Sequence, residues 1–150
     1  MKKDPYKHEE KYNQWKEIVK GVIPGISKIN SDMIMSYLLD MEYGLNVASS
    51  SKKGGRSYIR LNNLRQRITF LIKQFEERYN KTDITEITER ELHDYFIGMK
   101  NGTVKRQDGG IYQSPVDYIK VVKAFWHWHQ KVNRKKGIKV EDITVDLDTS

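Results

Sequence analysis

Apolar residues recur at helical spacing from Ser57 to Tyr79, and this pattern predicts the longest helix of the chain. The positions that share its apolar face are Leu61, Leu64, Ile68, Leu71, Ile72, Phe75 and Tyr79. The preceding residues, 46–57, are small, basic and rich in Gly and Ser, which is typical of a loop.

One flank of this predicted helix is cationic. At about 100° per residue, a single row contains Arg56, Arg60, Asn63, Arg67, Gln74 and Arg78. Guanidinium groups bind phosphate oxygens through paired hydrogen bonds, so such a row suits a nucleic-acid backbone. The alternative is a solvated face whose arginines serve solubility. Lys52 and Lys53 extend the charge into the loop, which matches neither a P-loop nor a dinucleotide-binding fingerprint.

Two shorter helices are predicted before the long one. The first begins at Asp4-Pro5, as a cap followed by proline, and runs to about residue 20. It is either a frayed end or an appendage that packs on the main domain. The second begins with Asn30 or Ser31 as its cap and ends near Gly44.

Two further helices are predicted after it. Thr88 and Glu91 form a capping box before an apolar run, which ends at Asn101-Gly102. Ser114-Pro115 opens the last long helix, which ends within residues 133–137. The fold class is therefore all-α, with four main helices and an additional N-terminal one.

The last helix carries a second cationic stripe opposite a broad apolar arc. Its members are Lys120, Lys123, His127, Lys131 and Arg134. The aromatic residues Phe125, Trp126 and Trp128 suggest either a base-stacking platform or core packing. Core packing is favoured for the first two and balanced against stacking for Trp128.

The charge of the chain is concentrated in two segments. Of the formal net charge of +7, residues 52–79 carry +6 and residues 111–136 carry +5, whereas residues 137–150 carry −3. Such patterning favours a polyanionic partner over a charge that is spread for solubility. The chain has no cysteine, which fits a reducing compartment, and no apolar run long enough for a membrane span.

Catalytic and metal-binding signals are weak. No motif of a metalloprotease, a serine hydrolase or a nucleotide-binding enzyme occurs. His127 and His129 are two residues apart, so their rings lie on different helix faces and do not converge on a metal. We expect no catalytic residue, no metal and no cofactor in this chain.

Three stretches in this order resemble the N-terminal core-binding domain of tyrosine recombinases, the integrases of phages and mobile elements. They are residues 56–75 with their Leu-rich face, residues 83–96 with the pattern Ile-Thr before Tyr-Phe, and residues 114–129 with Val-Lys before Phe-Trp. The resemblance covers roughly residues 30–136. It implies an orthogonal four-helix bundle of the SAM-like type.

The resemblance also implies a function. The domain would form half of a C-shaped clamp on double-stranded DNA, hold the recombination core site and help to assemble a synaptic complex with other recombinase protomers. We expect it in the cytoplasm, at the nucleoid. Residues 1–29 would be a helical extension and residues 137–150 an acidic linker or tail. The family's catalytic His-x-x-Arg does not occur, so we expect a chain that binds DNA without cleaving it.

The implied DNA-binding residues are the members of the loop and of the two stripes: Lys52, Lys53, Arg56, Arg60, Asn63, Arg67, Lys120, Lys123, His127, Lys131 and Arg134. Two alternatives remain open. The chain could be a standalone helical DNA-binding regulator, or a protein-interaction domain whose basic faces bind an acidic partner.

Overall fold

The computed structural model of this protein describes residues 7–47, 54–105 and 115–149. These residues form five α-helices and one short 3-10 helix, Ile84–Glu86. The α-helices are α1 (His8–Ile18), α2 (Lys28–Tyr43), α3 (Tyr58–Tyr79), α4 (Glu89–Asn101) and α5 (Val116–Lys135). The predicted all-α class, with four main helices after an N-terminal one, is confirmed. In the described part of the chain, no helix is both long and apolar enough to cross a membrane.

The chain divides into two compact units. The first ends at Ile84 and the second begins at Thr85. The first unit therefore contains α1, α2 and α3, and the second contains α4, α5 and the C-terminal residues. The boundary falls inside the predicted domain of residues 30–136.

Two of the predicted helix starts are confirmed. The Ser57 hydroxyl accepts a hydrogen bond of 3.3 Å from the Arg60 amide and caps α3. Thr88 and Glu91 form both hydrogen bonds of the predicted capping box at the start of α4. In each case a side-chain oxygen satisfies an amide that has no partner within the helix.

The predicted cap of α2 is wrong. Ser27 caps this helix, whereas Asn30 and Ser31 lie within it and are buried. The side chain of Asn30 bonds to residues further along the chain, and the Ser31 hydroxyl accepts from the Ile23 amide. Pro115 is the cap of α5 rather than its first helical residue, so the helix begins at Val116, one residue later than predicted. Ser114 and Asp4-Pro5 lie outside the described residues.

In the first unit, α1 and α2 pack against α3. The core includes Tyr12 of α1 and Tyr37 of α2, both almost fully buried, together with Leu61, Leu71 and Phe75 of α3. Tyr12 is also in ring contact with Tyr58, with centroids 5.8 Å apart. The predicted N-terminal extension therefore packs on α3 rather than fraying.

The second unit has its own core. Leu92, Tyr95 and Phe96 of α4 are buried, as are Ile119 and Phe125 of α5. The residues from 138 to 149, which we call the C-terminal segment, contribute buried Thr144 and Leu147. The sequence pattern places these residues in a linker or tail, but in the structure they pack along α5.

Candidate nucleic-acid interface

The cationic row of α3 lies on the outer side of the first unit. Arg60, Asn63 and Arg78 are exposed, and Arg67 and Gln74 are half-buried. Arg78 donates a hydrogen bond of 3.3 Å from Nε to the side chain of Gln74. At 1.5 Å per residue, the row from Arg60 to Arg78 spans about 27 Å, enough to follow several phosphates of a duplex.

The loop before α3 is held against the end of α2. The Arg56 amide donates a hydrogen bond of 3.0 Å to the carbonyl of Met41. A Cβ at Gly55 would clash with the carbonyl oxygen of Glu42, so this close passage requires glycine. Arg56, which is half-buried and is the first residue of the row, is thus held beside the end of α2. Lys52 and Lys53 lie outside the described residues.

Arg65 is an arginine of α3 that serves the packing of the first unit. Its guanidinium lies 5.0 Å from the ring centroid of Trp15, and its Nε donates to Asn62 Oδ1 at 2.8 Å. Asn62 Nδ2 in turn donates to the carbonyl of His8 at 2.8 Å. Burial lowers the pKa of the Arg65 guanidinium. The charge of this residue therefore fixes α1 on α3, and it does not belong to the cationic row.

The stripe of α5 differs from that of α3 because the C-terminal segment contacts its middle. Lys120 and Arg134, near the two ends of the stripe, are exposed. Lys123 Nζ donates a hydrogen bond of 2.7 Å to the carbonyl of Thr144. His127 Nε2 lies 3.0 Å from Asp142 Oδ2. Lys131 is half-buried.

Two further side chains of α5 attach the C-terminal segment. Trp126 Nε1 donates to the carbonyl of Glu141 at 2.8 Å, and Gln130 Nε2 donates to the carbonyl of Val140 at 2.9 Å. Together with Arg134, Gln130 lines a cleft of about 540 Å³ between α5 and residues 137–142. Most of these acceptors are main-chain carbonyls, so the segment is attached chiefly through its backbone.

Asp142 is the acidic residue of the C-terminal segment that contacts His127 of α5. Its Oδ1 accepts hydrogen bonds from both the amide and the hydroxyl of Thr144, at 2.9 and 2.6 Å. Partial burial by itself raises the pKa of the Asp142 carboxyl, but the hydrogen bonds from Thr144 and the interaction with His127 outweigh it. The net effect places the pKa of Asp142 below its ordinary range, so the carboxylate is charged near neutral pH.

Three aromatic residues of α5 belong to the core. Phe125, Trp126 and Trp128 are each at most 5% exposed. Phe125 and Trp128 contact each other with ring centroids 5.5 Å apart. The interpretation of these three residues as a base-stacking platform is therefore wrong, and core packing extends to Trp128. Among the described residues, no group of three or more His, Asp or Glu side chains is placed to hold a metal ion.

Comparisons with protein-family models, with curated proteins and with solved structures find no match to this chain. The family resemblance therefore depends on the three sequence stretches that carry it.

Proposed function

We propose that this chain is a double-stranded DNA-binding module of the core-binding type found in tyrosine recombinases. It binds the duplex backbone through the arginine row of α3 and through the basic stripe of α5. The module holds DNA at the nucleoid and leaves strand cleavage to other residues of a recombinase. In an assembled synaptic complex, other protomers of the same kind would be its partners.

The observation that carries this proposal is the outward-facing row of α3. Within this row, Arg60, Asn63 and Arg78 are exposed and Arg67 is half-buried. Each cation that neutralises a phosphate releases condensed counterions, which gives affinity without regard to sequence. Asn63 lies among the arginines and is the residue of the row best suited to contact a base edge.

Binding of an acidic protein is the second candidate function, and one observation favours it. The middle of the α5 stripe contacts an acidic segment of the same chain through Lys123 and His127. A carboxylate and a carbonyl oxygen therefore fit this face. The α3 row distinguishes the two candidates, because its regular arginines suit a repeating phosphate backbone.

A matched pair of charge reversals on α3 tests the proposal. Lys73 is an exposed cation of the same helix that lies outside the row. Arg60→Glu should weaken binding of a labelled duplex of about 30 base pairs, whatever its sequence, and lower the salt slope by about 1. Lys73→Glu makes the same change in charge and should have a smaller effect. Equal effects of the two substitutions would place the DNA away from the row.

A further inference from the structure

The contact between the C-terminal segment and α5 has the chemistry of a phosphate contact. Lys123 Nζ donates to the Thr144 carbonyl, and His127 faces the Asp142 carboxylate. A phosphate of DNA would present oxygen acceptors to the same two side chains. The segment therefore uses donors of the stripe that DNA would also use.

The segment also opposes the charge of the helix. Residues 137–150 contain one lysine and four acidic residues, net −3, whereas residues 111–136 are net +5. As a result, the residues from Thr85 onward carry only +1 of the total charge, and those before them carry +6. Since electrostatic attraction of DNA depends on local charge, the packed segment lowers the attraction of α5 for a duplex.

The C-terminal segment buries little apolar surface. Leu147 is the one large apolar residue of the segment that is buried, at 6% exposure, whereas Ile138 and Val145 are 51% and 64% exposed. The remaining contacts are mainly hydrogen bonds from α5 side chains to main-chain carbonyls. Hydrogen bonds of this kind contribute modestly to stability, and segments with few buried apolar contacts open locally.

We propose that the C-terminal segment is a built-in competitor for the basic stripe of α5, so that a duplex and the segment occupy this face in turn. This inference rests on the proposed function. In the closed state the chain binds DNA through the α3 row alone. Displacement of the segment then exposes Lys123 and His127 and adds the second stripe to the grip.

Two adjacent acidic residues give a matched test. Asp142→Asn removes the charge that faces His127, whereas Glu141→Gln removes an exposed charge whose side chain lies 3.7 Å from Lys139. Both variants change the net charge equally. With folding checked by circular dichroism, Asp142→Asn should bind the 30-base-pair duplex about threefold to tenfold more tightly than Glu141→Gln, the range that corresponds to losing one hydrogen bond of ordinary net strength.

Hydrogen exchange of the Thr144 amide supplies a second measurement. This amide donates to Asp142 Oδ1 in the packed segment, so its exchange should become faster when duplex is added to the unmodified chain. Suppose that duplex binds, but the two variants have equal affinity and the Thr144 amide keeps its exchange rate. The proposal that the segment competes with DNA would then be overturned, whereas the proposed DNA binding would stand. If neither the unmodified chain nor Asp142→Asn binds duplex at low salt, the proposed function fails, and this inference fails with it.

Discussion

Lys123 Nζ donates a hydrogen bond of 2.7 Å to the main-chain carbonyl of Thr144, whereas Lys120, three residues earlier on the same helix stripe, is exposed. Two lysines that the sequence pattern treats alike thus lie in different surroundings. Lys120 should react faster than Lys123 with a limiting amount of acetic anhydride, and mass spectrometry of the digested protein measures both rates. Asp142→Asn should narrow the difference. Equal rates in the unmodified chain would show that the C-terminal segment does not cover Lys123.

The contact between Asp142 and His127 predicts that the attachment of the C-terminal segment to α5 depends on pH. Because the pKa of Asp142 in the folded chain is below its ordinary value of about 3.9, its contribution to stability is complete above that value. The contribution is lost as the pH falls through the lower, folded pKa. Hydrogen exchange of the Thr144 amide, or the NMR signal of the Trp126 indole N–H, should therefore show that the segment opens in acid below about pH 4.

Asp142→Asn is the control for that titration. It should remove this contribution to the pH dependence of the segment, because asparagine does not titrate. A segment that opens at the same pH in both proteins would show that another carboxylate controls it.

Tyr12 offers a test of the packing of α1 on α3. Its side chain is fully buried, and its hydroxyl has no hydrogen-bond partner among the described residues. Burial also raises the pKa of this hydroxyl, which therefore stays protonated. Tyr12→Phe should leave the free energy of unfolding unchanged or raise it by about 1 kcal/mol, because an unsatisfied buried hydroxyl is costly.

Tyr12→Ala is the matched comparison. It should lower the free energy of unfolding by about 3–5 kcal/mol through loss of the ring. Urea denaturation followed by circular dichroism measures both variants. A loss of more than about 1 kcal/mol in Tyr12→Phe would mean that the hydroxyl makes a stabilising hydrogen bond.

Asn30 links α2 to α3 and to the residues that follow it. Its Nδ2 donates to Glu76 Oε2 and to the carbonyl of Lys81, and its Oδ1 accepts from the Ile84 amide at 2.7 Å. Asn30→Ala would leave buried polar groups without partners and should lower the free energy of unfolding by roughly 3 kcal/mol. The exposed Ser36→Ala on the same helix should stay within about 0.5 kcal/mol. Similar values for the two variants would contradict this role.

The helices were predictable where local chemistry decides them. Ser57 and the pair Thr88 and Glu91 cap helices because their side chains reach amides within the same turn. The start of α2 was mispredicted because Ser27, Asn30 and Ser31 are all good caps by residue type. The choice depends on distant partners, since Asn30 bonds to residues 76, 81 and 84, and local sequence does not reveal these partners.

Helical periodicity predicts which residues of the candidate interface share a helix face, but it does not predict which of them the C-terminal segment covers. Helical spacing placed Arg60, Asn63 and Arg78 together, and all three are exposed in the structure. The packing of residues 138–149 on α5 was missed because side-chain donors of α5 bond to main-chain carbonyls. Every residue has such a carbonyl, so no pattern of residue types in the sequence indicates the contact.

The salt dependence of duplex affinity tests the central claim most directly. A labelled duplex of about 30 base pairs is titrated with the chain at several salt concentrations, beside a variant in which Arg60, Arg67, Lys123 and Lys131 are changed to Glu. We predict that log affinity falls with log salt with a slope of about −3 or steeper, as for three or more phosphate contacts, and that the variant does not bind. No binding at low salt, or binding that survives the four substitutions, would contradict a DNA grip built on these two helices.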